Sequence, residues 1–142
     1  MIKKIQYFSV AVTDLDAAIK EYEERLGLKQ MTPIRDTHWG FRNTMMGDGT
    51  QAFIELIEPT DPNSALARFM RDRSTPMNPK GEGIYLVGVE VDNLEGSIKQ
   101  IREKGGRVNQ EPESPNAAWV HPLSLHYTLL ELQRPRSEGS SS

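Results

Sequence analysis

The sequence predicts an α+β fold built from two tandem βαβββ modules, and three observations carry that reading. The stretch Tyr7-Phe8-Ser9-Val10-Ala11-Val12-Thr13-Asp14-Leu15 returns as Leu86-Val87-Gly88-Val89-Glu90-Val91-Asp92-Asn93-Leu94, 79 residues later. A period this long is a fold-level signal. Each copy runs from an alternating strand, through a capping residue, into an amphipathic helix. The last strands match as well: Ile54-Glu55-Leu56 before Pro59 answers Leu130-Glu131-Leu132 before Pro135, at a spacing of 76 residues. One loop therefore differs in length between the modules.

In the first module, residues 5–12 alternate, with Phe8, Val10 and Val12 on one face and Tyr7, Ser9 and Ala11 on the other. Period two marks a strand. Asp14 suits a helix N-cap. Leu15, Ala18, Ile19, Tyr22 and Leu26 follow at helical spacing as one apolar stripe, and Gly27 suits the left-handed residue that ends a helix. A short strand is expected over residues 28–34, stopping at Pro33. Trp39–Met46 and Gln51–Glu58 then form a hairpin around Gly47-Asp48-Gly49. Residues 60–82 are rich in Pro, Asn, Ser, Arg and Gly and read as a linker carrying a short helix, Ser64–Met70, with Leu66, Phe69 and Met70 as its apolar side. Arg68, Arg71 and Arg73 cluster there, either as a solvated helix face or as a clamp for a phosphate or carboxylate.

The second module opens at Gly83. Val87, Val89 and Val91 share one strand face; Leu86, Gly88 and Glu90 share the other. Asp92 or Asn93 caps a helix with Leu94, Ile98 and Ile101 inside, and Gly105-Gly106 stops it. A weak strand near Arg107–Asn109, a loop over Pro112–Asn116, a strand Ala118–Val120, a turn at His121-Pro122 and a last strand Tyr127–Gln133 complete the count. The expected organisation is one domain over residues 1–135, with modules at about 1–60 and 83–135, and a disordered tail over 136–142 that lacks apolar residues.

Bulk properties narrow the function. The 142 residues carry 17 basic and 20 acidic side chains, a formal charge of −3. That balance argues against non-specific nucleic-acid binding, which needs a basic face. With no cysteine, disulfide scaffolds, zinc ribbons and thiol nucleophiles drop out. No apolar run is long enough to cross a bilayer, and the N-terminus enters a strand directly, so the expected location is the cytoplasm. Glu55 and Glu131 are then the informative residues. Each is a carboxylate inside an otherwise apolar strand. Either the sheet face beneath them is open to solvent, or matched positions of a repeat build a site for metal ligation, acid–base work or ion pairing.

The stretches Val10-Ala11-Val12-Thr13-Asp14-Leu15-Asp16, Leu26-Gly27-Leu28, Ile54-Glu55-Leu56-Ile57-Glu58-Pro59, Glu90-Val91, His121-Pro122 and Leu129-Leu130-Glu131-Leu132 resemble the vicinal oxygen chelate superfamily, which includes glyoxalase I, methylmalonyl-CoA epimerase, extradiol dioxygenases and the bleomycin resistance proteins. The epimerase-like and glyoxalase-like branch is the nearest. The resemblance implies that the modules form one curved, open barrel, and that a divalent metal is held by one side chain from the first and one from the last strand of each module. Carried over, the last-strand positions are Glu55 and Glu131, and the first-strand positions, usually histidine, are Tyr7 and Leu86. Leucine cannot ligate a metal, and neutral tyrosine is a poor ligand. Two carboxylates alone hold a divalent ion weakly. The cofactor expectation is therefore none, or a weakly bound divalent ion (Mg, Mn, Zn, Fe or Ni).

By strand parity the residues facing the ligand are Tyr7, Ser9, Glu55, Leu86, Gly88, Tyr127, Leu129 and Glu131, with His38 and Trp39 as further candidates. Phe41, Met45 and Met46 are either additional walls or ordinary core. Such a set suits a small, partly apolar molecule with one polar end. Three readings follow. One is a metal-independent isomerase, epimerase or lyase acting beside a carbonyl, with Glu131 or Glu55 as base and Tyr7 or Tyr127 as oxyanion donor. The second is a non-catalytic sequestering protein like the bleomycin resistance members. The third is a lyase, isomerase or dioxygenase with a divalent metal on Glu55, Glu131 and His38 or His126. The resemblance also implies a homodimer, with a small molecule as partner and neither nucleic acid nor membrane.

Overall fold

The computed structural model describes residues 1–135; the tail expected over 136–142 lies outside them. The fold is α+β, and the βαβββ order repeats. The first module comprises β1 (Ile2–Ala11), α1 (Leu15–Leu26), β2 (Lys29–Gln30), β3 (Arg35–Asp36), β4 (Phe41–Gly47) and β5 (Ala52–Pro59). The helix α2 (Ala65–Arg73) follows. The second module is β6 (Gly83–Val91), α3 (Leu94–Glu103), β7 (Val108–Asn109), β8 (Ala117–Val120), a 3₁₀ turn at Pro122–Ser124, and β9 (Leu130–Gln133). The chain divides into two compact units, Tyr7–Tyr85 and a second made of Met1–Gln6 with Leu86 onward.

The first unit orders its strands β2-β4-β5-β1, with β3 also on β4. β1 and β5 run parallel, Ser9 opposite Glu55; β4 and β5 form the expected hairpin, Met45 opposite Glu55. The second unit repeats this as β6-β9-β8-β7. Gly88 lies opposite Glu131 between parallel β6 and β9, and Trp119 opposite Glu131 between antiparallel β8 and β9. The register therefore pairs the same two equivalent positions that the sequence repeat aligned.

Each unit has its own helix-side core. Val10, Val12, Met46, Ile54 and Leu56 pack against Leu15, Ala18 and Ile19 of α1. In the second unit Val89, Val91, Val120 and Leu132 pack with Leu94 and Ile98 of α3. Fully burying such a side chain contributes roughly 1.5–3 kcal/mol. The caps are the ones read from sequence. Asp14 accepts the Ala17 N–H and Asn93 the Gly96 N–H, each at 3.0 Å. Gly27 closes α1 at φ 68°, its N–H reaching the Glu23 carbonyl at 3.0 Å. Leu26, expected on the apolar stripe, is exposed instead, at the last position of α1 before the Gly27 cap.

Several element boundaries differ from expectation. The strand over 28–34 is two short pieces, β2 and β3, both on β4. Pro33, between them, has no N–H to give a ladder. His38 and Trp39 occupy a turn before β4 rather than the strand start. The last strand begins at Leu130, not Tyr127. His126 and Tyr127 adopt positive φ of 53° and 66°, a left-handed pair that no strand can contain. The parity that placed Tyr127 beside Glu131 therefore does not reach it, and Tyr127 is 82% exposed; Leu129, next to the strand, keeps a ladder bond, its carbonyl accepting the Val87 N–H at 3.1 Å. The helix α2 is longer than read, because Ser64 caps it by accepting the Ala67 N–H at 3.1 Å and no helix breaker follows Met70 until Ser74.

Candidate active site

The best-defined polar centre of the first unit lies on the sheet face opposite α1. Residues directly opposite in register share a face, so Ser9, Met45 and Glu55 point the same way, with Tyr7, Asn43 and Ile57 two positions along their strands. Ser9 is fully buried and its hydroxyl donates to Glu55 Oε1. Asn43 Nδ2 donates to Glu55 Oε2 at 2.7 Å. Both carboxylate oxygens are thus held. Burial pushes the Glu55 carboxyl above the ordinary carboxylate range, although the Ser9 and Asn43 hydrogen bonds pull it down. A carboxylate held in orientation and displaced toward neutral pH is suited to proton transfer.

The same face continues into a small core where α2 docks: Ala11 and Ile57 against Leu66 and Met70, with Phe41, Phe69 and Tyr85 around them. His38, Trp39 and Phe41 form a row of rings with centroids 4.0 Å and 5.9 Å apart. Gly40 within that row has φ 79°, and a Cβ there would stand 2.8 Å from Ser64 Cβ, so only glycine lets this turn close on the start of α2. Met46 belongs to the core under α1, not to this face.

In the second unit Glu131 is 9% exposed and accepts from Gln133 Nε2. Gly88 and Trp119 are its cross-strand neighbours. Leu86 and Gly88 are buried and share a strand face by alternation. His121 serves the local backbone, since its Nδ1 accepts the Leu123 N–H at 3.1 Å and caps the 3₁₀ turn. His126 is exposed on its positive-φ turn.

Sequence reasoning reached Ser9, Tyr7 and Glu55 but missed Asn43 and Gln133. Both were accessible in principle. The hairpin around Gly47-Asp48-Gly49, with a register shift at Met46/Gly47, sets Asn43 diagonal to Glu55, and Gln133 is two residues from Glu131 on one face.

The family model of the Glyoxalase/Bleomycin resistance protein/Dioxygenase superfamily matches residues 6–120. The chain belongs to this superfamily. Among curated relatives, the ethylmalonyl-CoA/methylmalonyl-CoA epimerase of Cereibacter sphaeroides is 27% identical over 140 residues, covering 94% of this chain and 99% of that protein. The mitochondrial methylmalonyl-CoA epimerase of Bos taurus is 26% identical over 136 residues, covering 92% and 74%. Among solved structures, the methylmalonyl-CoA epimerase of Mycobacterium tuberculosis superposes with a TM-score of 0.79 at 25% identity, covering 96% of this chain and 91% of that one. A variant of the Streptomyces coelicolor methylmalonyl-CoA epimerase, in complex with 2-nitronate-propionyl-CoA, shares the fold with a TM-score of 0.78 at 22% identity, covering 96% and 100%.

The superfamily's metal does not fit these residues. Tyr7 in the first unit and Leu86 in the second, both 7% exposed, stand where the resemblance expects imidazole ligands; a neutral phenol is a poor ligand and an isobutyl group is none. Each oxygen of Glu55 accepts one hydrogen bond from a neutral donor, Ser9 or Asn43. Among the described residues, no group of three or more His, Asp or Glu side chains is placed to hold a metal ion.

Proposed function

We propose that this protein is an isomerase that epimerises the carbon next to the carbonyl of an acyl-CoA thioester, with Glu55 as a proton-transfer carboxylate. The observation that carries the reading is the Ser9–Glu55–Asn43 cluster: a carboxylate raised by burial and fixed through both oxygens. The curated relatives that act on ethylmalonyl-CoA or methylmalonyl-CoA supply the substrate class.

The chemistry is one proton out and one proton in. Glu55, ionised, takes the proton from the α-carbon; the C–H electron pair moves into the thioester as an enolate. An acid then returns a proton to the opposite face of that carbon and inverts it. We assign Tyr7, on the same strand face as Ser9, as hydrogen-bond donor to the enolate oxygen. His38 and Trp39 we assign to contacts nearer solvent. Exposed Tyr127 has no assigned role.

The test is conversion of a single epimer of methylmalonyl-CoA, followed by circular dichroism with excess chelator present. The wild-type chain racemises it, and Glu55→Gln lowers kcat by about 10²–10⁴-fold, the usual contribution of a positioned general base. A ligand recovered unchanged after prolonged incubation with the wild type would replace this reading with sequestration.

A further inference from the structure

The first unit contains a second feature that the proton-transfer cluster does not use. A hollow of about 750 Å³ lies beside α2, lined by buried Met70 and half-buried Pro59 and, toward solvent, by exposed Thr60, Asp61, Arg71 and Lys80. Arg71 is the middle member of the arginine cluster noted in the sequence. Its neighbour Arg73 is committed elsewhere: one N–H reaches the Ile84 carbonyl and its guanidinium lies 5.2 Å from the centre of the Phe69 ring. Arg71 gives one N–H to the Pro62 carbonyl at 2.7 Å, which fixes the fork while leaving other donors. Among the described residues, no carboxylate stands within ion-pair distance of Arg71 or Lys80. The Asp61 carboxylate accepts the Asn63 N–H at 2.8 Å.

We propose that this hollow binds a nucleoside phosphate, its ring on Pro59 and Met70 and its phosphate on Arg71 and Lys80. An anchored guanidinium matches phosphate geometry, and an apolar lining with a few polar groups toward solvent suits a flat heterocycle. Resting on the function proposed above, the ligand is the nucleotide end of the acyl-CoA substrate. Glu55 and Pro59 are ends of one run on β5, about 13 Å apart at ordinary strand rise, a distance that an extended pantetheine arm spans.

The experiment is calorimetric titration of the full chain with adenosine 3′,5′-bisphosphate, adenosine and inorganic phosphate, for wild type and the Arg71→Gln/Lys80→Gln double variant. Both side chains are exposed, so the variant retains the fold, checked by its melting curve. The bisphosphate binds wild type, adenosine binds at least tenfold more weakly, and the double variant loses about tenfold or more of the bisphosphate affinity. Equal affinity in the variant, equal affinity for adenosine, or no binding of the bisphosphate overturns the proposal. A kinetic arm separates it from the proposed reaction. The double variant raises KM for the acyl-CoA about tenfold at constant kcat, and leaves turnover of the matching pantetheine thioester unchanged. Binding without turnover would keep the hollow and remove the epimerase reading; turnover without binding would do the reverse.

Discussion

At the scale of single residues, Glu55 shows how neighbours set the character of an acid. Its strand is otherwise apolar, and loss of water around the carboxylate favours the neutral form. Ser9 and Asn43 donate to the charged form and limit that shift. The sign of a mutational effect follows. A base must be ionised, so activity falls as pH drops through the Glu55 pKa, which lies above the ordinary glutamate value. Removing either donor withdraws an interaction that lowers the pKa. Asn43→Ala and Ser9→Ala therefore move the acid limb of the kcat/KM profile to higher pH. A limb that stays in place or moves down in both variants would separate Glu55 from the rate. Stability responds in the same sense. Because the folded pKa is raised, Glu55 costs nothing at pH below its unfolded value, and its cost grows as pH climbs from there through the folded pKa.

At the scale of elements, the repeat legible in the sequence proved to be a repeat of register. Ser9 opposite Glu55 becomes Gly88 opposite Glu131, because both modules begin with one alternation and end with one acid. The caps at Asp14, Asn93 and Gly27 were equally legible, since each satisfies orphan helix groups by local geometry alone. The segment 126–129 was not legible. Apolar and aromatic residues there read as strand, yet His126 and Tyr127 turn left-handed after the His121-capped 3₁₀ turn, and nothing in local propensity announces a positive φ at a histidine and a tyrosine. Two stability tests belong here. Asp14→Ala removes the α1 cap and lowers stability by about 1 kcal/mol. Leu56→Ala empties a side chain with no exposure and costs about 2–5 kcal/mol. Denaturant melts of both variants check the order; an Asp14→Ala loss as large as that of Leu56→Ala would contradict this account of α1.

Glu58 adds a connection between elements that the sequence concealed. Its carboxylate accepts the Leu15 N–H at 2.8 Å and Arg42 Nε at 2.7 Å. One side chain from β5 thus closes the first turn of α1 and holds β4. In the sequence Glu58 is simply the polar residue before Pro59, because its partners lie 16 and 43 residues away.

At the scale of the molecule, the chain has the fold of its superfamily and carries Tyr7 and Leu86 at the two positions where the resemblance expects imidazole. Ser9 and Asn43, both neutral donors, hold Glu55 in place. Activity is accordingly expected to survive exhaustive chelation and to gain nothing from added Mg²⁺, Mn²⁺, Zn²⁺, Fe²⁺ or Ni²⁺; restoration by one of these ions of activity lost to chelator would refute that.

The most direct measurement is solvent exchange at the α-carbon. Methylmalonyl-CoA is incubated with enzyme in deuterium oxide, and label at that carbon is followed by NMR with chelator present. The wild-type chain washes deuterium in, and Glu55→Gln slows it by about a hundredfold or more. Exchange that proceeds at the wild-type rate in Glu55→Gln, with the variant's fold intact, would contradict the account.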